Sequence, residues 1–173
     1  MLTRRELSLG AGALALAACT QTSNQAQASE KTMSDTAAAT NASNTDWANL
    51  SDREWKERLT DMEYKVLRHE ATERPFSSEL NDNKAAGTYA CAGCALPLFE
   101  SDKKFDSGTG WPSFFQPIEG ALGTKSDRKL FMARTEYHCI RCGGHQGHVF
   151  KDGPAPTGLR YCNNGIALDF VEA

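Results

Sequence analysis

The 173-residue sequence has no basic run and no Lys/Arg stripe, and its formal charge is −3. Electrostatics therefore name no polyanionic partner, and no nucleic acid is expected as a ligand. No apolar run is long enough to form a permanent bilayer-spanning helix. Apart from two cysteine pairs there is no internal repeat. From Thr20 to about Asn44 almost every large apolar residue is missing, so that stretch cannot bury enough surface to offset its ordering entropy and is expected to be a flexible tether. A chain of this length has room for one domain of ordinary size. What remains is a slightly acidic, soluble domain whose partners are small molecules, peptides or proteins.

The first eighteen residues read as an export signal. Adjacent Arg4 and Arg5 precede an uncharged Leu/Ala/Gly-rich stretch from Leu7 to Ala18. Paired arginines before a weakly hydrophobic stretch resemble a twin-arginine signal. Leu16-Ala17-Ala18-Cys19 resembles a bacterial lipobox, in which the cysteine is lipidated and becomes the mature N-terminus. The expectation is a signal peptide over 1–18, a lipidated Cys19 opening a tether over 19–46, and a folded domain over 47–173. Such a protein would be anchored in the bacterial cell envelope, facing the periplasm or the exterior, and two or more acyl chains would hold it stably. An ordinary cleaved signal and a buried N-terminal helix are the competing readings.

Folding begins near Trp47. In LSDREW, Ser51 caps a helix while Glu54 reaches back, and Leu50 packs on Trp55. The same capping box and hydrophobic staple recur in LTDMEY with Thr60, Glu63, Leu59 and Tyr64. These signals predict two short helices, roughly 52–59 and 61–70, ending before Pro75. Beyond them GTYAC, KLFMARTEYHC, GHVF, LRYC and GIALDFVE are short β-forming segments separated by Gly, Pro, Asn and Asp. GIALDFVE is the clearest strand, with Ile166, Leu168 and Phe170 on one face. The predicted fold class is mainly β, an antiparallel domain behind short N-terminal helices, expected as a monomer.

Four of the six cysteines form Cys91-Ala-Gly-Cys94 and Cys139-Ile-Arg-Cys142. Two CxxC turns bring four thiolates to tetrahedral spacing, which suits one structural Zn²⁺ with no open position for water. Turn residues follow each pair, as expected of knuckles that wrap backbone around a metal. Two disulfides are the alternative, and an oxidising compartment favours it. Cysteines two residues apart close too short a loop to stabilise by bridging each other, so the metal is the expectation.

With Cys19 assigned to lipid and four cysteines to metal, Cys162 in RYCNN is the remaining thiol. A lone cysteine is often a small buried hydrophobe. Its neighbours point elsewhere. GGHQGHVFKDGP carries His145, His148 and Asp152 on a glycine-rich stretch, Asn163 and Asn164 follow the thiol, and Trp111 sits in a Gly/Pro-framed loop where a flat side chain can floor a pocket. A nucleophilic thiol needs a group favouring the thiolate, an acid for the leaving oxygen and donors that fix the substrate. Arg160 either helps the thiolate or is a solvated strand charge.

TERPFS, YACAGC, FDSGTGWPSFF, CIRCGGHQGHVFKDGP and LRYCNN, in that order across residues 47 to 173, resemble the methionine-R-sulfoxide reductase B family. The resemblance implies two antiparallel sheets with a peripheral zinc knuckle, and reduction of the R epimer of methionine sulfoxide in oxidised proteins and peptides. By position, Cys162 would be the nucleophile and Trp111 the wall receiving the substrate methyl. His145, His148 and Asp152 would line the polar side, and Asn164 would follow the nucleophile. Two positions depart from the family pattern. Asn163 stands where an apolar residue is usual, and Thr109 stands where many members carry a second, resolving cysteine. A hydroxyl cannot form that disulfide, so an external, thioredoxin-like thiol is the expected reductant. A zinc-stapled binding module with an incidental Cys162, and a thiol peroxidase, are the rival readings.

Overall fold

The computed structural model describes residues 45–128 and 133–173, within the compact unit Asn44–Ala173. The expected signal peptide, Cys19 and nearly all of the tether lie outside the described residues. No helix among the described residues is long and apolar enough to cross a membrane.

Two helices open the fold, α1 (Asp52–Arg58) and α2 (Asp61–His69). Each starts in the capping box read from the sequence: Ser51 and Thr60 accept from the backbone N–H of Glu54 and Glu63, whose carboxylates return to the cap backbone at 2.8 and 2.7 Å. Acidic residues fill both first turns and basic residues both last turns, matching the helix dipoles. Leu50 and Leu59 join the core that holds Trp55 and Tyr64. Glu70, in the left-handed region at φ 55°, ends α2.

The rest is antiparallel sheet. One sheet has the order β2-β1-β9, from β1 (Gly87–Cys91), β2 (Pro97–Glu100) and β9 (Leu168–Glu172). The other has the order β3-β4-β8-β7-β6-β5. Its strands are β3 (Lys104–Phe105), β4 (Ser113–Phe114), β5 (Leu122–Asp127), β6 (Arg134–Cys139), β7 (His145–Phe150) and β8 (Arg160–Asn163). The two-sheet, mainly β architecture is the one expected. Aromatic rings lock the sheets together: Phe99 stacks on Phe114 with centroids 4.1 Å apart, and Tyr89 meets Phe114 edge-on at 5.0 Å.

GIALDFVE differs from its reading as one strand. Gly165–Ala167 is a 3₁₀ turn, and β9 starts only at Leu168. Gly165 packs under Ser78 and Glu73, where a side chain would not fit, and the chain pairs with β1 only from Leu168 onward.

Candidate active site and metal centre

The two CxxC turns meet at the ends of β1 and β6. All four sulfurs lie within 4.8 Å of one another, with Cys91 to Cys142 at 3.6 Å and Cys94 to Cys139 at 3.5 Å. A disulfide would hold two sulfurs near 2.05 Å, and none of the four is bridged. Zn–S bonds of about 2.3 Å in a tetrahedron put sulfurs about 3.8 Å apart, so four buried thiols at this spacing fit a metal-binding knuckle. The turns match each other. Ala95 and Gly143 donate to the carbonyls of Cys91 and Cys139 at 2.7 and 2.9 Å, and both take positive φ, 56° and 68°. Leu67 of α2 packs onto Gly93 and Gly144, which brings the helix down on both knuckles.

Cys162 lies on β8, paired with His148 of β7 on one side and Ser113 of β4 on the other. Directly opposed residues in antiparallel strands share a face, so thiol and imidazole look into the same space. That space is a cleft of about 130 Å³ walled by Trp111 and Phe150, with His148, Asn163 and Asn164 on its polar side and Arg134 at its edge. Gly147 is what lets β7 approach: a Cβ there would run into the Cys162 carbonyl.

Trp111 is held from two directions. Its indole N–H donates to the Glu73 carbonyl at 3.3 Å, and its loop is pinned by Phe76 N–H to Gly110 O at 2.7 Å, with Gly110 at φ 90°. Glu73, buried behind it, accepts from the backbone N–H groups of Gly165 and Ile166. Burial raises its carboxyl above the ordinary value, against those two donors. The Asn164 side chain accepts from Glu73 N–H at 3.1 Å and donates to Gln146 O at 3.0 Å, which ties the turn after the nucleophile to Glu73, whose carbonyl holds the Trp111 indole.

His148 Nε2 meets the buried Asp127 carboxylate at 2.8 Å, and Arg134 shares the same oxygen at 2.6 Å. His145 does not share the cleft. It is buried on Glu136 at 2.9 Å, and burial, opposed by Glu136, lowers its pKa, so it is neutral at pH 7. His145 lies next to His148, with ring centroids 5.5 Å apart. Asp152 and Arg160 also lie outside the lining of this cleft. Asp152 takes both carboxylate oxygens to Arg160 at 2.9 Å each, and the guanidinium stacks on Phe150 at 4.3 Å. Arg160 is buried rather than a solvated strand charge.

Burial pushes the Cys162 thiol above its ordinary pKa, while Arg160 and the hydroxyl of Thr109 pull it down by favouring the anion. Asn163 is fully buried and well satisfied. Tyr137 O–H donates to its Oδ1 at 2.7 Å, and its Nδ2 reaches Gln146 Oε1 at 3.3 Å and Asn164 O at 2.8 Å.

A SelR domain matches residues 59–172. The chain belongs to the methionine-R-sulfoxide reductase B family. Among similar curated relatives of the family is a peptide methionine sulfoxide reductase MsrB of Bradyrhizobium diazoefficiens, 56% identical over 119 residues, covering 68% of this chain and 86% of that one. One of Methanosarcina barkeri is 55% identical over 121 residues, covering 69% and 85%. One of Leptospira interrogans is 51% identical over 123 residues, covering 70% and 94%. The motifs in which the family resemblance was read, from Thr72 to Asn164, fall inside the matched span.

Glu73, Asp127, Arg134, Gln146 and Tyr137 are the site's supports that the sequence did not reveal. Glu73 and Asp127 meet their partners only through the fold, and a single acidic residue among polar neighbours carries no signal of its own.

Proposed function

We propose that this chain reduces the R epimer of methionine sulfoxide in oxidised proteins and peptides, with Cys162 as nucleophile. The observation that carries the reading is the pairing of Cys162 with His148 across β7 and β8, at a cleft walled by Trp111. An aromatic wall suits the substrate methyl, and His148 is positioned to protonate the sulfoxide oxygen with Asp127 holding its ring. Arg160 and Thr109 favour the thiolate as it forms. The thiolate attacks the sulfoxide sulfur to form an S–S bond, and that bond breaks as the protonated oxygen leaves the methionine sulfur for Cys162. The oxygen ends on Cys162 as a sulfenic acid, and the methionine sulfur gains the two electrons that Cys162 loses. Asn164 and Glu73 act by position, keeping β8 and Trp111 in register.

Cys91, Cys94, Cys139 and Cys142 would hold one structural Zn²⁺, which joins the two knuckles and offers no open position for water. Lipidation at Cys19, a tether and an envelope location facing the periplasm or exterior complete the proposal, with a monomeric domain held off the membrane. Thr109 supports reset by an external, thioredoxin-like thiol.

Turnover on dabsylated R- and S-methionine sulfoxide tests the assignment. Consumption of R alone, abolished in Cys162→Ser, is expected; activity on S alone, or survival in Cys162→Ser, would end it.

A further inference from the structure

Residues of β8 line two clefts, Cys162 one and Arg160 the other, and the reaction described uses only the first. The second, about 360 Å³, is lined by Asp106, Ser107, Thr109, Asp152, Pro154 and Arg160, among others, and shares no lining residue with the Trp111 cleft. Phe150 and Arg160 divide them: Phe150 walls the Trp111 cleft, and the Arg160 guanidinium lies on its ring. Arg160, two residues before Cys162 on β8, lines this second space, and so does Ser107, whose hydroxyl meets that of Ser113, the cross-strand partner of Cys162, at 2.8 Å. Thr109 and Arg160 are also the side chains that pull the thiol's pKa down. Two nitrogens of Arg160 are taken by Asp152, whereas its buried Nη1 has no hydrogen-bond partner. The cleft therefore ends beside the strand that carries Cys162, on a cation.

The chemistry of reset asks for such a second approach. The oxygen reaches Cys162 from a substrate in the Trp111 cleft, so the new S–O bond points there. A thiolate that displaces oxygen from sulfur approaches in line with the breaking bond, from its far side. Resting on the reductase reading above, we propose that the Thr109/Arg160 cleft is the entry for the resetting dithiol, separate from the entry for sulfoxide. Its thiolate forms an S–S bond to Cys162 as the S–O bond breaks, and the departing hydroxide takes a proton from solvent to become water. The reductant's second thiolate then attacks its own sulfur in the mixed disulfide, which releases Cys162 as thiolate and leaves the reductant oxidised. Arg160 draws the incoming thiolate and stabilises the Cys162 thiolate that leaves.

Blocking each entry in the full chain separates the half-reactions. Pro154→Trp and Asp106→Trp, both at exposed positions, narrow the second cleft; Thr72→Trp narrows the first, which Thr72 lines. Each variant is first shown to melt like the parent, and each position is tested with a leucine substitution too, in case tryptophan disturbs folding. The Pro154 and Asp106 variants should form one equivalent of methionine per chain at the parental rate. Their sulfenic acid, followed by mass spectrometry, should be reset at least tenfold more slowly by thioredoxin and, to a smaller extent, by dithiothreitol. Thr72→Trp should do the reverse. Reset within twofold of the parent in every second-cleft variant, or an equal slowing in Thr72→Trp, overturns the separate entry. If the parent forms no methionine, the reductase reading itself fails. The reset arm then still runs on Cys162 oxidised with one equivalent of hydrogen peroxide.

Discussion

At the residue scale the resting state of Cys162 sets how the site is primed. Burial raises the thiol's pKa and outweighs the pull of Arg160 and Thr109. A raised pKa means that the thiol form dominates at neutral pH and the thiolate fraction grows as pH rises. Alkylation of the substrate-free protein by iodoacetamide should therefore climb about tenfold per pH unit between 7 and 9, without a plateau below 8. Arg160→Met should move the curve further alkaline. A plateau below pH 8 would show a resting thiolate and defeat this account. Cys162, His148 and Trp111 were legible because each sits in a distinctive motif. The sequence left two readings of Arg160 open, and its bidentate pair with Asp152 was not legible, because spacing alone does not show that the two residues meet. Asp152 follows β7 and Arg160 opens β8, and only the fold brings them together as a bidentate pair.

Among the elements, the β7/β8 pair does most to place the chemistry. His148 opposes Cys162, and Gly147 opposes Asn163. A Cβ at Gly147 would meet the Cys162 carbonyl and carbon, so the strands can pair this closely only around a glycine. Gly147→Ala should cost roughly 2 kcal/mol or more through overpacking and should lower kcat more than it raises KM, since thiol and imidazole lose their register. Thermal melting with steady-state kinetics on the R epimer checks this; a stable, fully active variant would remove Gly147 from the argument. The helices were legible to within a residue at their C-termini because capping boxes are local chemistry. β3 and β4, of two residues each, and the largely polar β5 were not. Their pairing comes from neighbours in the sheet rather than from their own alternation.

For the molecule as a whole, the metal centre and the reactive thiol belong to one hydrogen-bonded system. Gln146 donates to the Cys91 sulfur at 3.4 Å, and its Oε1 accepts from Asn163, which adjoins Cys162. Asn163, which stands where the family pattern is apolar, is the link, since an apolar side chain there could neither hydrogen-bond Gln146 nor accept from Tyr137. Losing the metal should thus act twice. It should loosen the knuckles on which α2 rests, and it should free Gln146 to shift the turn at Asn163. Cys91→Ser should release metal by native mass spectrometry and lower Tm by at least about 10 °C, given the binding energies of structural zinc. Below the new Tm it should still show a reduced kcat/KM for sulfoxide. Gln146→Leu separates the two effects: it should keep its metal and most of its Tm, yet lose activity because Asn163 has lost its partner. If Gln146→Leu keeps full activity, the knuckle serves the fold alone and the Gln146 link has no part in catalysis.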